Sequence, residues 1–133
     1  MAASEMTVSV VTPEETVVET TADAIVAPLF DGEIGILRGH APMISRLGYG
    51  ELRVTAAGAS TRYYVDGGFI QVADNVVSVM TNRAMPAADV DGEAAAEALQ
   101  QGLDQKAQGD DAILARQRAV DQARAQVRLA KKG

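Results

Sequence analysis

Hydrophobic and polar residues alternate with a period of two almost from the start of the chain. Thr7-Val8-Ser9-Val10-Val11 sets Val8 and Val10 against Thr7 and Ser9, the pattern of a strand with one buried face. A similar texture predicts strands over residues 16–20, 24–29, 34–37, 51–56, 60–65, 69–72 and 76–80. Pro13-Glu14-Glu15, Asp31-Gly32, Ala57-Gly58, Asp66-Gly67-Gly68 and Ala73-Asp74-Asn75 separate them with good turn chemistry, and Arg38-Gly39-His40-Ala41-Pro42 forms a loop. Gly48-Tyr49-Gly50 reads as one more turn. Short strands at this spacing predict a β-sandwich or barrel.

Past Pro86 the period changes. Val, Ile and Thr nearly vanish, and Ala, Gln, Glu and Arg, which favour helix, take over. Asp89 or Asp91 is positioned as an N-cap, with Glu93 and Glu97 in the first turns where the helix dipole favours acids. Leu99 and Leu103 mark an apolar stripe on this first helix. Gly109 breaks the run and Asp110-Asp111 opens a second helix, in which Ile113, Val120 and Val127 repeat at seven, with Ala123 and Ala130 between. Two amphipathic helices joined by a few residues predict an antiparallel hairpin. The expected organisation is a β domain over residues 1–86 and a helical hairpin over 87–133. The hairpin's stripes are narrow and rich in Ala, and small side chains bury little area at ~25 cal/mol per Å². That leaves two arrangements open, a hairpin permanently docked on the sheet or one that detaches.

Composition narrows the function. Of 133 residues 47% are hydrophobic but only 4% aromatic, with no Trp, so the core is aliphatic and wide stacking platforms are absent. A net charge of -6 argues against nucleic acid as a partner. The charge is asymmetric: residues 110–133 sum to +3 and residues 1–109 to -9. Met1-Ala2-Ala3-Ser4-Glu5 lacks the basic and apolar regions of a signal peptide, and the longest apolar run, residues 24–30, is too short to span a bilayer. Zero cysteines exclude disulfides, thiolate metal sites and cysteine nucleophiles.

Catalysis has little to work with. There is one histidine, His40, and no zinc-protease, nucleophile-elbow or P-loop motif. His40, ahead of Ala41-Pro42, reads as a turn or interface residue, because no partner group lies at a meaningful spacing. No cofactor or metal is expected. A free-standing ligand-binding β-sandwich module is the alternative from another class, disfavoured by the scarcity of aromatics on which sugars usually stack.

One stretch is more specific. Asp31-Gly32-Glu33-Ile34-Gly35-Ile36-Leu37-Arg38-Gly39-His40-Ala41-Pro42-Met43 resembles the G-E-[IL]-G-I-L-P-G-H-A-P-[LM] signature of the epsilon subunit of F-type ATP synthases. Tyr64-Val65-Asp66-Gly67-Gly68-Phe69-Ile70-Gln71-Val72, followed by Val76-Val77-Ser78-Val79-Met80, resembles a second family segment in the expected register. The beginning, from Val8 to Glu14, and the Ala-rich end fit as well. The resemblance implies a sandwich of two five-stranded sheets, ten strands in all, followed by a C-terminal α-helical hairpin. It implies a non-catalytic rotor subunit of the central stalk that binds gamma and the c-ring and couples proton flow to ATP synthesis. Its hairpin would extend along gamma, meet the beta and alpha subunits, and restrain ATP hydrolysis. The subunit would touch the membrane only through the complex, and the missing transit segment favours the cytoplasmic face of a bacterial inner membrane over the mitochondrial counterpart, called delta.

Residue by residue, the resemblance implies that His40 faces gamma and that Glu33 faces the polar loops of the c-ring, with Arg38 and Pro42 in the same interface set. Arg38 replaces the usual proline and Gln71 the usual glutamate. Some bacterial members bind ATP through [IL]-D-x-x-R-A and arginines of the last helix. Here Val90-Asp91-Gly92-Glu93-Ala94-Ala95 puts Ala94 at the arginine, and Gln122 and Gln126 at the other two. Without that cationic neutralisation, no useful ATP binding is expected. Arg116, Arg124 and Arg128 would instead meet an acidic helix–turn–helix segment of beta when the hairpin extends; for any single arginine the alternative is a solvated charge that complements the helix dipole.

Overall fold

The alternation in the first strand has the expected consequence in the computed structural model, which describes residues 5–132: Met6, Val8 and Val10 are buried while Thr7 is exposed. The reading of the chain's first four residues falls outside the described part. Ten strands are present: β1 (Met6–Val11), β2 (Thr16–Ala22), β3 (Ala24–Leu29), β4 (Gly32–Leu37), β5 (Met43–Arg46), β6 (Tyr49–Ala56), β7 (Ala59–Asp66), β8 (Phe69–Ala73), β9 (Val76–Met80) and β10 (Ala84–Pro86). They form two five-stranded sheets, ordered β2-β1-β9-β8-β5 and β10-β7-β6-β3-β4. The inward residues of both sheets, among them Val8, Ile25, Ile36, Leu52, Ile70 and Val79, make one aliphatic core. The chain changes sheets between β4 and β5, so the loop 38–42 lies at the end of the sandwich. The two-residue turn Asp74-Asn75 has positive φ at both positions, as a tight hairpin with the strands' own twist demands.

Two strands lie outside the eight that periodicity predicts. β5 is only four residues long, and β10 is a three-residue edge strand ending on Pro86, where a missing N–H costs no ladder bond. The expected turn at Gly48-Tyr49-Gly50 is a correction: Tyr49 and Gly50 already belong to β6. Gly48 is needed for close approach, since a Cβ there would sit 2.5 Å from the carbonyl oxygen of Leu29.

After a single 3₁₀ turn (Ala87–Asp89) come α1 (Gly92–Asp104) and α2 (Asp110–Lys132). Asp91 is the N-cap, accepting from the N–H groups of Glu93 and Ala94 at 3.0 and 3.1 Å. The hairpin is docked. α2 lies on the outer face of β6 and β7, where Ala125 and Leu129 close a second small core over Tyr64, with Tyr49, Met85, Ala87 and Val90 at its margin. Between the helices the buried α1 residues are Ala95 and Gly102, while Leu103 is exposed. The helices meet on their smallest side chains: a Cβ on Gly102 would lie 3.0 Å from Val120 Cγ2. Of the heptad series, Val120 is buried but Ile113 is exposed, because α1 has ended before α2's first turns.

Candidate functional site

The loop between β4 and β5 is tied down at its centre. The Gly39 N–H donates to Asn75 Oδ1 at 2.7 Å, joining this loop to the β8–β9 turn. The His40 N–H donates to the Leu37 carbonyl at 3.1 Å. His40 Nδ1 lies 2.7 Å from its neighbour Ala41's carbonyl, a contact in which the ring N–H donates. Arg38 sits 4.0 Å from Asp23, both about half exposed, a pair worth ~0–1 kcal/mol. Pro42 is exposed. Around them stand Leu37 and Ile44, 64% and 67% exposed. The sequence does carry a signal for these two: each follows an inward residue in a strand and so must point outward, yet is large and apolar.

Glu33 is not part of that group. It is exposed near the start of β4, opposite Pro28, beside a cleft of 320 Å³ that Arg128 and Leu129 of α2 also line. About 13 Å of strand separates Glu33 from Leu37 at ~3.3 Å per residue, so the structure brings Arg38, His40 and Pro42 together and leaves Glu33 towards the other end.

The hairpin residues divide as well. Arg116 Nε and Nη2 donate to the carbonyls of Gln105 and Leu103, each at 3.0 Å, and so satisfy the C-terminus of α1. Arg124 and Arg128 are exposed and line an open groove of 1050 Å³ at the end of the sandwich. Ala94 lies on the exposed face of α1. Gln122 and Gln126 turn towards the sheet. Gln122 Nε2 donates to both oxygens of the buried Asp66 carboxylate, at 2.9 and 3.1 Å. Gln126 stands beside the Tyr64 hydroxyl, which is buried and makes no hydrogen bond of good geometry. Burial, and then the neighbouring Asp66 charge, push the Tyr64 phenol up to about 12.

A second polar tie holds the far end of α2. Arg62 donates from Nε to buried Glu51 at 2.8 Å and from Nη2 to the Leu129 carbonyl at 3.2 Å. The sequence gives Glu51 and Arg62 no role because they occupy outward strand positions, and Asp66, expected in a turn, is instead the last residue of β7. The missed signal was register: Arg53 and Arg62 face one another across β6 and β7, a like-charge pair that calls for a carboxylate, which Glu51 provides.

Among the described residues no His, Asp or Glu cluster is placed to hold a metal ion, and no helix is long and apolar enough to cross a membrane. The arrangement consists of loops, exposed apolar side chains and a helical hairpin held by a few polar ties. This defines a β-sandwich with a docked helical hairpin and exposed apolar side chains at the end of the sandwich.

The family model described as "ATP synthase, Delta/Epsilon chain, beta-sandwich domain" matches residues 5–87. An ATP synthase epsilon chain of Rhodopirellula baltica is 45% identical over 122 residues, covering 92% of this chain and 95% of its own. That of Symbiobacterium thermophilum is 35% identical, covering 95% and 86%. A chain in the structure of the Euglena gracilis mitochondrial ATP synthase superposes with a TM-score of 0.82 at 25% identity, covering 92% and 79%. One in the Tetrahymena thermophila mitochondrial ATP synthase, central stalk and c-ring, gives 0.68 at 19% identity, covering 96% and 94%, a likeness of fold. The chain belongs to the ATP synthase delta/epsilon family, as an epsilon chain, a non-catalytic subunit of that complex.

Proposed function

We propose that this chain is the rotor subunit of a proton-translocating F-type ATP synthase that joins gamma to the c-ring, couples proton flow to ATP synthesis, and restrains ATP hydrolysis through its hairpin. The observation that carries the reading is the match along nearly the whole chain to epsilon chains, in a fold whose outward surfaces suit protein partners. Loop 38–42, with His40, Arg38 and Pro42 framed by exposed Leu37 and Ile44, is the gamma-facing surface. Glu33, set apart at the other end of β4, faces the c-ring. This separation suits two partners contacted at once. The chain reaches the membrane only through the complex, at the cytoplasmic face of a bacterial inner membrane.

The docked hairpin is the non-inhibitory state in this reading. Extension along gamma would break the Asp66–Gln122 and Arg62–Leu129 ties and turn Arg116, Arg124 and Arg128 towards acidic segments of beta and alpha. ATP has no place in the switch: Ala94, Gln122 and Gln126 offer no charge, and Gln122 is engaged with Asp66 of the sheet. Calorimetry with ATP is expected to show no binding in the millimolar range or tighter.

The test is co-elution of the full chain with the gamma subunit of the same source on a sizing column. A one-to-one complex that weakens in His40→Ala is the expected result. No complex at concentrations well above micromolar would sink the assignment and return the free-standing ligand-binding module to first place.

A further inference from the structure

The open groove at the end of the sandwich is built from both halves of the molecule. Its cationic wall is Arg46 of β5 together with Arg124 and Arg128 of α2, and its apolar wall is Phe30, Phe69 and Met80. Strand register produces this mixture. Arg46 lies opposite Phe69 and Phe69 opposite Met80, so their outward side chains form one row across β5, β8 and β9 that ends at the groove. The Arg46 guanidinium sits 5.3 Å from the centroid of the Phe30 ring, a cation–π contact that holds the charge at the rim.

Beyond the Arg46–Phe30 contact, two features of the groove are unmatched among the described residues. Acids outnumber bases 18 to 12, yet none of these three arginines forms an ion pair among the described residues. Asp121, the acid on the groove wall, accepts a hydrogen bond from Gln117. The apolar wall is likewise in water: Phe30 is 62% exposed, and Phe69 and Met80 are nearly half exposed. Guanidinia match carboxylates through paired hydrogen bonds, and contiguous exposed apolar side chains mark contact surfaces.

We propose that this groove is a docking cleft for an acidic protein segment that also carries apolar side chains, and that its occupation holds the hairpin in the docked position. A small inorganic anion would satisfy the arginines and leave Phe30, Phe69 and Met80 in water. A purely apolar segment would cover those three and leave the guanidinia uncompensated. Since Arg46 belongs to the sandwich and Arg124 and Arg128 to the hairpin, a segment bridging them binds only the docked arrangement and stabilises it by mass action. Arg124 and Arg128 are also the residues assigned above to the extended state. Cleft occupation and that contact therefore exclude one another, a consequence that rests on the proposed function, whereas the cleft itself does not.

The experiment uses the full chain and a capped Glu-Leu-Glu-Leu-Glu-Leu peptide, followed by the amide resonances of Gly67, Gly68 and Phe69 at the groove. Saturable shifts are expected, weakened about tenfold by combining Arg46→Gln with Arg124→Gln, exposed changes that should leave the melting temperature in place. Hydrogen exchange in α2 is expected to slow when the peptide binds. The idea is overturned by absent shifts or by shifts that survive the double variant. It is equally overturned if a Ser-Leu peptide binds as well, which would mark an apolar surface alone, or if inorganic pyrophosphate competes with equal or greater affinity, which would mark a small-anion site. Gamma co-elution tests the loop 38–42 surface, so failure there and failure here are separate results.

Discussion

The sandwich and the hairpin solve the same problem with different materials. In the sandwich, Val8, Val10, Ile25, Ile36, Leu52 and Ile70 are almost wholly shielded from solvent, and β-branched and aliphatic side chains interdigitate across the two sheets. In the hairpin, Ala95, Gly102, Val120 and Ala123 do the burying between or beside helices, and only Ala125 and Leu129 reach the small core over Tyr64. Apolar burial contributes ~25 cal/mol per Å², so the first region is held mainly by burial and the second leans on a few polar ties. The difference leads to the expectation that the hairpin leaves the sheet without unfolding the sandwich, whereas the sandwich unfolds only as a whole.

Truncating one residue in each region breaks the comparison most sharply. Ile70→Ala is expected to cost about 3 kcal/mol and to lower the stability of the whole molecule. Leu129→Ala, in the hairpin core, is expected to cost about 2 kcal/mol and to act locally. Urea unfolding read by circular dichroism, paired with hydrogen exchange, separates the two. Ile70→Ala should speed exchange in β8 and α2 alike, whereas Leu129→Ala should speed it in α1 and α2 and leave β8 and β9 protected. Equal acceleration everywhere by Leu129→Ala would show that hairpin and sandwich unfold as one unit.

Much of this contrast is legible in the sequence, but not the joint between the regions. β3 and β9 fall on the residues that periodicity predicts, and Asp91 is one of the two caps anticipated. β5 and β10 are too short to show a period. The docking face is invisible in the sequence because Glu51, Arg62 and Tyr64 alternate outward like a solvated strand surface and Asp66 reads as a turn residue. Only pairing of β6 with β7 places them together, and only the arrival of α2 buries them. Two of the three positions matching the family's ATP-binding arginines are legible as glutamines, while the contact of Gln122 with the sheet through Asp66 is not.

Tyr64 provides a pH handle on that joint. Its phenol is pushed from 10.0 to about 12 by burial, and secondly by the Asp66 charge, so the docked state favours the neutral form. The free energy this contributes is fully present below the unfolded value near 10 and is lost as pH rises through about 12. Hairpin exchange protection, corrected for the intrinsic rate, is therefore expected to hold steady up to pH 10 and then fall, with a smaller fall in Tyr64→Phe. A Tyr64→Phe chain that loses protection at the same pH and to the same extent would assign the effect to other groups.

The smallest effect separates the three hairpin arginines. α1 has no basic residue in its own last turn and ends on an extended Gln105 rather than a left-handed cap, so its terminal carbonyls depend on outside donors. Arg116 of α2 provides two donors to Leu103 and Gln105 and places a positive charge at the negative end of α1. Arg116→Gln is expected to cost about 1 kcal/mol, seen as faster exchange over residues 99–104 with the sandwich unchanged. Arg124→Gln, with no hydrogen bond or ion pair among the described residues to lose, is expected to leave exchange in α1 unaltered. The two variants would then differ in a further respect: Arg124 is available to a partner in either hairpin state, whereas Arg116 becomes free only when α1 and α2 separate. Matching exchange in the two variants would mean that net charge on α2, rather than the contact with α1, sets hairpin closure.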